Sequence, residues 1–224
     1  MEPFQAVVLG VLQGLTEFLP VSSSGHLVLG QHLFGLTEPE LLFDISLHIA
    51  TLLAVLVVFA KEIGAILSAL ARLPKLSAEA GGWRPLLLGN EAVRTAWLII
   101  VGSVPTALLG LGFHRAADRI FSSVPTVGVM LLVTGSLLWA TRGRTAGTRP
   151  VLTMTAKDAI IIGLMQGFAI LPGISRSGAT ISTALFLGVE RATAGRFSFL
   201  LSLPAICGAL LIEIKDGAAA GAPV

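Results

Sequence analysis

Long apolar stretches dominate the chain. Three of them, at residues 41–60, 95–113 and 124–141, approach the length of about 20 residues that a membrane-spanning helix needs, and a fourth at 197–214 is nearly as apolar. A helix satisfies its backbone hydrogen bonds internally, so it can lie in hydrocarbon without exposing polar groups. The pattern therefore predicts an all-α, polytopic membrane protein.

Two shorter apolar stretches have a different pattern. Residues 4–19 and 159–171 are interrupted by glycine and run directly into a proline and a Ser/Gly cluster. A second short segment follows each of them, near 27–34 and 181–189. Broken pairs of this kind are typical of re-entrant helical hairpins, whose loops are tolerated at membrane depth only where they line a protected cavity.

Composition supports a membrane location. Of 224 residues, 54% are hydrophobic and 12% are charged, whereas soluble domains carry about 25% charged residues. The net charge of +2 comes from basic residues in short loops, so we expect no nucleic-acid partner. We expect membrane lipids around the protein, with a homodimer left open.

The positions of the basic residues predict an orientation. Residues 1–60 contain no lysine or arginine, whereas the segments 61–94 and 142–157 are rich in both. Basic loops stay in the cytoplasm, which leaves residues 1–40 and 114–123 outside. The first hairpin then enters from outside and the second from the cytoplasm, so a site in the first loop faces outward.

The two hairpins also resemble each other in sequence. Gln13 and Gln166 lie 153 positions apart, and so do the Ser-Gly pairs at 24–25 and 177–178. Shared sequence with opposite orientation predicts an inverted-topology repeat inside a single membrane domain, residues 1–224. Unit one would cover about residues 1–141, and a partial unit two about 154–215. Two unrelated Gly/Ser/Pro loops of similar composition are the alternative.

The repeat predicts a shortened second copy. The offset of 153 makes residue 224 the equivalent of residue 71, so the spans at 95–113 and 124–141 have no counterparts. The final GAAAGAPV is typical of a linker. We therefore expect a truncated or unusually short chain with weak activity.

The first hairpin loop carries candidate chemistry. Glu17 would be costly in an apolar hairpin unless it were paired, hydrated or bound to metal, and Gln13 shares its helix face. After Pro20 follow hydroxyl and imidazole side chains: Ser22, Ser23, Ser24 and His26. The alternative interpretation is that the serines cap a helix and that His26 is a surface residue.

The second loop contributes a cation. Arg176 lies in a membrane-embedded turn and needs an anionic partner, and its planar guanidinium matches phosphate oxygens. Ser175, Ser177 and Thr180 would add hydroxyl donors. Alternatively, Arg176 pairs with Glu17 only to balance charge. Both interpretations bring the two loops together.

Together these groups suit phosphoryl transfer, because they supply a nucleophile, a base or acid, and a clamp for phosphoryl oxygens. The residues alone do not distinguish hydrolysis from transport of an anion. A secondary transporter or lipid flippase with inverted-repeat architecture therefore stays open, as does a non-catalytic subunit of an envelope assembly.

A family resemblance narrows the choice. The segments QGLTEFLPVSSSGH (13–26) and PGISRSGAT (172–180) resemble the two motifs of the undecaprenyl-diphosphate phosphatases, the bacitracin-resistance family. Residues 41–59 and 196–209 are similar to that family as well. The resemblance covers essentially the whole chain, although members of the family continue with further C-terminal helices.

The resemblance implies hydrolysis of undecaprenyl (polyprenyl) diphosphate to the monophosphate carrier lipid in the bacterial plasma (inner) membrane, with bacitracin resistance. It implies catalysis by Glu17, the SSSGH hydroxyls with His26, and Arg176, assisted by a divalent cation such as Mg²⁺ or Ca²⁺. We expect Ser23 as nucleophile and Glu17 or His26 as base, with direct attack by water as the alternative. We expect Ser22, Ser24, Ser175, Ser177 and Thr180 to bind substrate, and Glu17 with Gln13 to bind the metal.

Overall fold

A computed structural model describes residues 1–36, 41–121, 123–143 and 147–219. Within these ranges the chain forms eleven α-helices and one short 3-10 turn at Val151–Thr153. The helices are α1 Pro3–Thr16, α2 Ser23–Leu33, α3 Leu41–Val58, α4 Ala60–Ala71, α5 Leu73–Glu79, α6 Trp83–Gly89, α7 Glu91–Phe121, α8 Val124–Thr141, α9 Ala156–Phe168, α10 Arg176–Phe186 and α11 Arg191–Ala219. The predicted all-α class is confirmed.

Three of the described helices are long and apolar enough to cross a membrane. They are α8 and the parts Glu91–Phe113 of α7 and Arg191–Ile212 of α11, which correspond to the predicted spans 124–141, 95–113 and 197–214. The remaining predicted span, 41–60, corresponds to α3, but the chain bends by 75° between α3 and α4. This pair is a broken span or a re-entrant segment. The described residues therefore contain three segments long and apolar enough to cross a membrane, or four if the bent pair is one span.

The segment 61–94, predicted only as a basic cytoplasmic loop, contains short helices. A proline in the first turn of α5 and two glycines with positive φ, Gly81 and Gly82, set the boundaries between α4, α5 and α6. Their apolar side chains form a small cluster with Leu86 and Val93. Basic residues interrupt the apolar pattern here, and this concealed the helices. Helix α7 likewise continues to Phe121, into the predicted outward link.

The two hairpins are built on one plan. Helices α2 and α10 begin 153 positions apart, at Ser23 and Arg176, and so do α1 and α9. Both α2 and α10 begin earlier than predicted because serines cap them: the N–H of Gly25 donates to Ser22 Oγ at 3.3 Å, and the N–H of Gly178 donates to Ser175 Oγ at 3.0 Å. The capping alternative was therefore right for Ser22, and the repeat boundaries stay a prediction.

Close helix contacts hold the second hairpin in the core. At Gly163 of α9, a Cβ would lie 2.0 Å from the carbonyl oxygen of Gly102 in α7, so the two backbones touch. Small residues permit such contacts between membrane helices. Leu98, Ile162 and Phe197 fill the adjacent core. The second hairpin is thus closely packed, and this packing positions the residues of its loop.

Helix α8 supports both loops. Thr134 Oγ1 donates to the carbonyl of Gly173 at 2.8 Å and accepts the N–H of Ser175 at 3.0 Å. A Cβ on Gly25 would lie 3.0 Å from both Gly173 Cα and a methyl group of Leu131. The first loop therefore packs directly on the second. The end of the predicted outward link (37–40), residue 144 of the basic loop and the last five residues of the tail lie outside the described residues.

Candidate functional site

Glu17 lies where the two loops meet. Its Oε2 accepts a hydrogen bond from Gln13 Nε2 at 2.8 Å and another from the Ser23 hydroxyl, and its Oε1 accepts one from Arg176 Nη2. The Glu17 side chain is only 8% exposed, and that of Arg176 is 29% exposed. The expected pairing across 159 positions is therefore present, and the cation offsets the cost of burying the carboxylate.

Helix geometry explains why Ser23 and Arg176 both reach this carboxylate. Each is the first residue of its helix, α2 or α10, and the two occupy equivalent positions in the hairpins. The first N–H groups of a helix lack partners within it, and the helix dipole makes that end positive. Two such ends converge on Glu17, which creates a region suited to bind anions.

Ser22 holds the first loop in an unusual conformation. Its φ of 66° lies in the left-handed region that non-glycine residues rarely adopt, and the residue is 3% exposed. Its hydroxyl caps α2 and lies 3.4 Å from the Ser24 hydroxyl. Ser22 therefore shapes the loop, and its predicted contact with substrate stays a prediction.

The ring of His26 is held by the same residue. His26 Nδ1 lies 2.8 Å from the carbonyl oxygen of Ser22, and since a carbonyl only accepts, Nδ1 carries the proton. In the neutral ring Nε2 is then the basic nitrogen. Among the described residues, the bonds of His26 go to Ser22, whereas Ser23 donates to Glu17. The geometry thus favours Glu17 as the acceptor of the serine proton.

Hydroxyls of the second loop bind mainly to protein. The Oγ atoms of Ser175 and Ser177 lie 3.3 Å apart, and Ser177 Oγ donates to the carbonyl of Leu19 in the first loop at 3.3 Å. Thr180 is fully buried, donates to the carbonyl of Arg176 at 2.8 Å, and bonds with the Ser198 hydroxyl. These bonds fix Arg176 against α11. The predicted contacts of the three hydroxyls with substrate stay predictions.

A cleft opens beside the ion pair, between the loops and helices α3 and α11. The space between its walls is about 320 Å³ when the part open to solvent is counted, and Glu17, Arg176 and Ser177 belong to its polar lining. Sequence reasoning missed its other polar lining residues, which come from two predicted spans: Thr51, Ser198 and Ser202. Ser198 and Ser202 lie four positions apart on one helix face, a signal that a search for hydroxyls inside predicted spans could have found.

The donors present fit a cation only if phosphate completes its coordination. Among the described residues no three His, Cys, Asp or Glu side chains cluster together. Glu17 supplies one carboxylate, and the buried Gln13 Oε1 beside it has no hydrogen-bond partner. Mg²⁺ often takes one or two carboxylates together with substrate phosphates. The predicted metal ligands Glu17 and Gln13 are therefore adjacent and suited to that type of site.

The chain matches a known protein family over most of its length. Residues 6–222 match the family model described as "Bacitracin resistance protein BacA". A protein of Desulfosudis oleivorans named undecaprenyl-diphosphatase is 58% identical over 96% of this chain and 78% of its own length. Relatives with the same name from Desulforapulum autotrophicum and Desulfatibacillum aliphaticivorans are 55% and 51% identical, over 80% and 81% of their lengths.

Proposed function

The chain belongs to the bacitracin resistance protein BacA family, and we propose on that basis that it is an undecaprenyl-diphosphatase. The reaction removes the terminal phosphate from undecaprenyl diphosphate and leaves the monophosphate carrier lipid, which supports carrier recycling and bacitracin resistance. The relatives reported above carry this name, so the transporter or flippase alternative is not favoured.

The observation that supports the reaction best is the shared carboxylate. One oxygen of Glu17 accepts a hydrogen bond from the Ser23 hydroxyl, and the other accepts one from the Arg176 guanidinium. A base hydrogen-bonded to a candidate nucleophile, beside a cation at two helix N-termini, is an arrangement that suits phosphoryl transfer. Arg176 has five N–H donors, so it can bind phosphate oxygens while it contacts Glu17.

In the mechanism that we propose, Ser23 Oγ attacks the terminal phosphorus. The Ser23 proton passes to Glu17 Oε2, the bond from that phosphorus to the bridging oxygen breaks, and the prenyl monophosphate leaves. Arg176 and the positive end of the α10 helix dipole stabilise the negative charge that develops on the phosphoryl oxygens. The oxygen of a water molecule then attacks the phosphorus of the phosphoserine, and the bond from phosphorus to Ser23 Oγ breaks. Ser23 recovers its proton from Glu17, and the second proton of the water leaves to solvent with the released phosphate.

Direct attack by water is the second route that these residues support. Glu17 would then take the proton of the water molecule, and Ser23 would only orient the phosphate. In either route the basic Nε2 of His26 can accept a proton from water near the first turn of α2. Trapping of a phosphorylated Ser23 after acid quench would distinguish the two routes.

A divalent cation such as Mg²⁺ or Ca²⁺ is part of the proposal. Glu17 and Gln13 Oε1 would hold it together with the substrate phosphates. When bound, it would add positive charge against the phosphoryl oxygens. Gln13 meanwhile orients Glu17 through the bond from its Nε2.

We also propose the bacterial plasma membrane as the location, with the first loop facing outward. The support is the distribution of basic residues, which are absent from residues 1–60. The homodimer that the sequence left open stays open.

The direct test is phosphate release from undecaprenyl diphosphate by the purified protein in detergent, with titration of Mg²⁺ and Ca²⁺. We expect turnover that depends on enzyme concentration and falls when a chelator is added. Absence of turnover with every cation would refute the proposed function. Transport of the lipid between vesicle leaflets without phosphate release would support the flippase alternative instead.

A further inference from the structure

Three aromatic rings form a group at the cleft. Phe199 of α11 lies between Phe18, which follows Glu17 in the chain, and Phe59, at the bend between α3 and α4. The ring centroids are 6.3 Å apart for Phe18 and Phe199, and 5.7 Å apart for Phe59 and Phe199. Both Phe18 and Phe199 line the cleft. Aromatic rings and the Glu17 carboxylate therefore line the same cleft.

Phe199 differs from a core phenylalanine on the same helix. Phe197 is 2% exposed and packs in the central core between α7, α9 and α11. Phe199 is only partly buried and lines the cleft, together with the buried apolar side chains Val55 and Ile206. The hydroxyls of Thr51, Ser198 and Ser202 lie among these side chains in the lining. Part of the Phe199 side chain thus remains exposed at the cleft.

The kinds of group that line the cleft match one class of ligand. Glu17, Ser177 and Arg176 are suited to bind phosphate, and the apolar rings of Phe18 and Phe199 line the same cleft. A prenyl diphosphate combines these two kinds of group, because its first isoprene unit is bonded directly to the diphosphate. The isoprene unit is flat and apolar, so it gains by contact with an aromatic ring and by leaving water.

We propose that Phe199 determines substrate selectivity by contacting the isoprene unit next to the diphosphate. Phe18 and Phe59 hold its ring in place, and the contact makes a prenyl diphosphate a better substrate than a diphosphate that lacks the isoprene unit. This inference rests on the proposed function of the same cleft, and adds to it the residue that recognises the lipid.

The test compares two substrates in one assay. Farnesyl diphosphate contains the isoprene unit and methyl diphosphate lacks it, so the ratio of their kcat/KM values measures recognition of that unit. We expect Phe199→Ala to lower kcat/KM for farnesyl diphosphate about tenfold, and to leave that for methyl diphosphate within about twofold. Phe199→Leu keeps apolar bulk, so its kcat/KM for farnesyl diphosphate should lie between those of Phe199→Ala and the wild type. This variant replaces Phe199→Ala in the test if the alanine variant does not fold.

Phe168→Ala is the matched control. Phe168 is 43% exposed and pairs with Phe113 at 6.4 Å, away from the cleft, so its loss should leave the selectivity ratio unchanged. An equal loss on both substrates, or no loss on farnesyl diphosphate, would overturn the role of Phe199 and leave the proposed function standing. A wild-type protein that hydrolyses neither farnesyl nor undecaprenyl diphosphate would overturn both.

Discussion

The hairpin of α1 and α2 and the hairpin of α9 and α10 have the same helix plan but differ in packing. In α10 eight residues from Ser177 to Leu185 are buried, whereas in α2 the buried residues are Gly25 and Leu27. Ser175 has an ordinary extended conformation with φ −72°, whereas its equivalent Ser22 has φ 66°. The second loop is therefore relaxed and enclosed, and the first is strained and more open.

Chemistry is divided between the hairpins in the same way. The carboxylate, the candidate nucleophile and the imidazole all belong to the first hairpin, and the position equivalent to Ser23 in the second is Arg176. A clamp for charge benefits from a rigid support, because preorganised donors need not reorganise during the reaction. The reacting groups lie on the hairpin with fewer packing constraints. The comparison teaches that one local plan can carry two different roles when only a few positions and their surroundings change.

Removing the carboxylate of the first hairpin should have the largest effect. Glu17→Gln keeps the size of the side chain but removes the base that accepts the Ser23 proton. We expect phosphate release to fall at least about a thousandfold, or ~4 kcal/mol of transition-state stabilisation. Glu79→Gln, at an exposed ion pair with Lys75, is the control and should be fully active. Activity within tenfold of the wild type in Glu17→Gln would contradict the role of Glu17.

Substitutions at two equivalent glycines test the difference in packing between the hairpins. A Cβ at Gly163 would lie 2.0 Å from the Gly102 oxygen, whereas a Cβ at Gly10 would lie 3.8 Å from a methyl group of Leu47, an ordinary contact. We expect Gly163→Ala to lower the free energy of unfolding by about 1–3 kcal/mol, and Gly10→Ala to change it by less than ~0.5 kcal/mol. Unfolding curves in detergent measure both. Equal effects would show that the two hairpins are packed alike.

The clamp of the second hairpin is tested by Arg176→Lys. Lysine keeps the charge but loses the planar fork that matches phosphate oxygens. We expect phosphate release to fall more than about tenfold, or over ~1.4 kcal/mol. Arg142→Lys is the control, because the Arg142 guanidinium lies 3.9 Å from the centroid of the Trp139 ring and outside the cleft. Near-normal turnover of Arg176→Lys would leave the ion pair with Glu17 as a purely structural contact.

The smallest predicted difference concerns the starts of the hairpins. Burial alone would raise the pKa of Asp158 in α9, but hydrogen bonds from Arg149, at 2.7 Å, and from Thr155 outweigh it and lower that pKa. The equivalent residue in α1 is the uncharged Gln5, which accepts a hydrogen bond from the N–H of Glu2 at 2.8 Å. Ionisation of Asp158 therefore makes the second of these two caps dependent on pH.

The sign of that dependence follows from the lowered pKa. The stabilisation by ionised Asp158 is complete above the unfolded value of about 3.9 and is lost as pH falls through the lower folded pKa. We expect Asp158→Asn to cost about 1 kcal/mol at pH 6, and to lose less stability than the wild type when the pH is lowered below about 4. Gln5→Ala should follow the pH dependence of the wild type. Parallel curves for Asp158→Asn and the wild type would contradict the assignment.

The sequence by itself determined the class of the protein and supplied the candidate residues of its site. Hydropathy identified the segments that became α3, α7, α8 and α11, because the requirement for an apolar surface in lipid applies to each segment locally. Glu17 and Arg176 became candidates because charged groups are costly at membrane depth unless they have partners. Ser23 became a candidate as one of the hydroxyl residues that follow Pro20. Hydropathy did not reveal α4, α5 and α6, where apolar and basic residues are interleaved.

Only the tertiary structure decided how those participants meet. The division of the two Glu17 oxygens between Ser23 and Arg176, the commitment of Thr180 to Ser198, and the inclusion of Phe199 in the cleft all depend on contacts between distant parts of the chain. The second loop is positioned for such contacts by the close helix crossing at Gly102 and Gly163 and by the hydrogen bond from Thr134 to the Gly173 carbonyl. The local sequence shows that a polar group will be costly to bury. The packing of the helices decides which distant group offsets that cost.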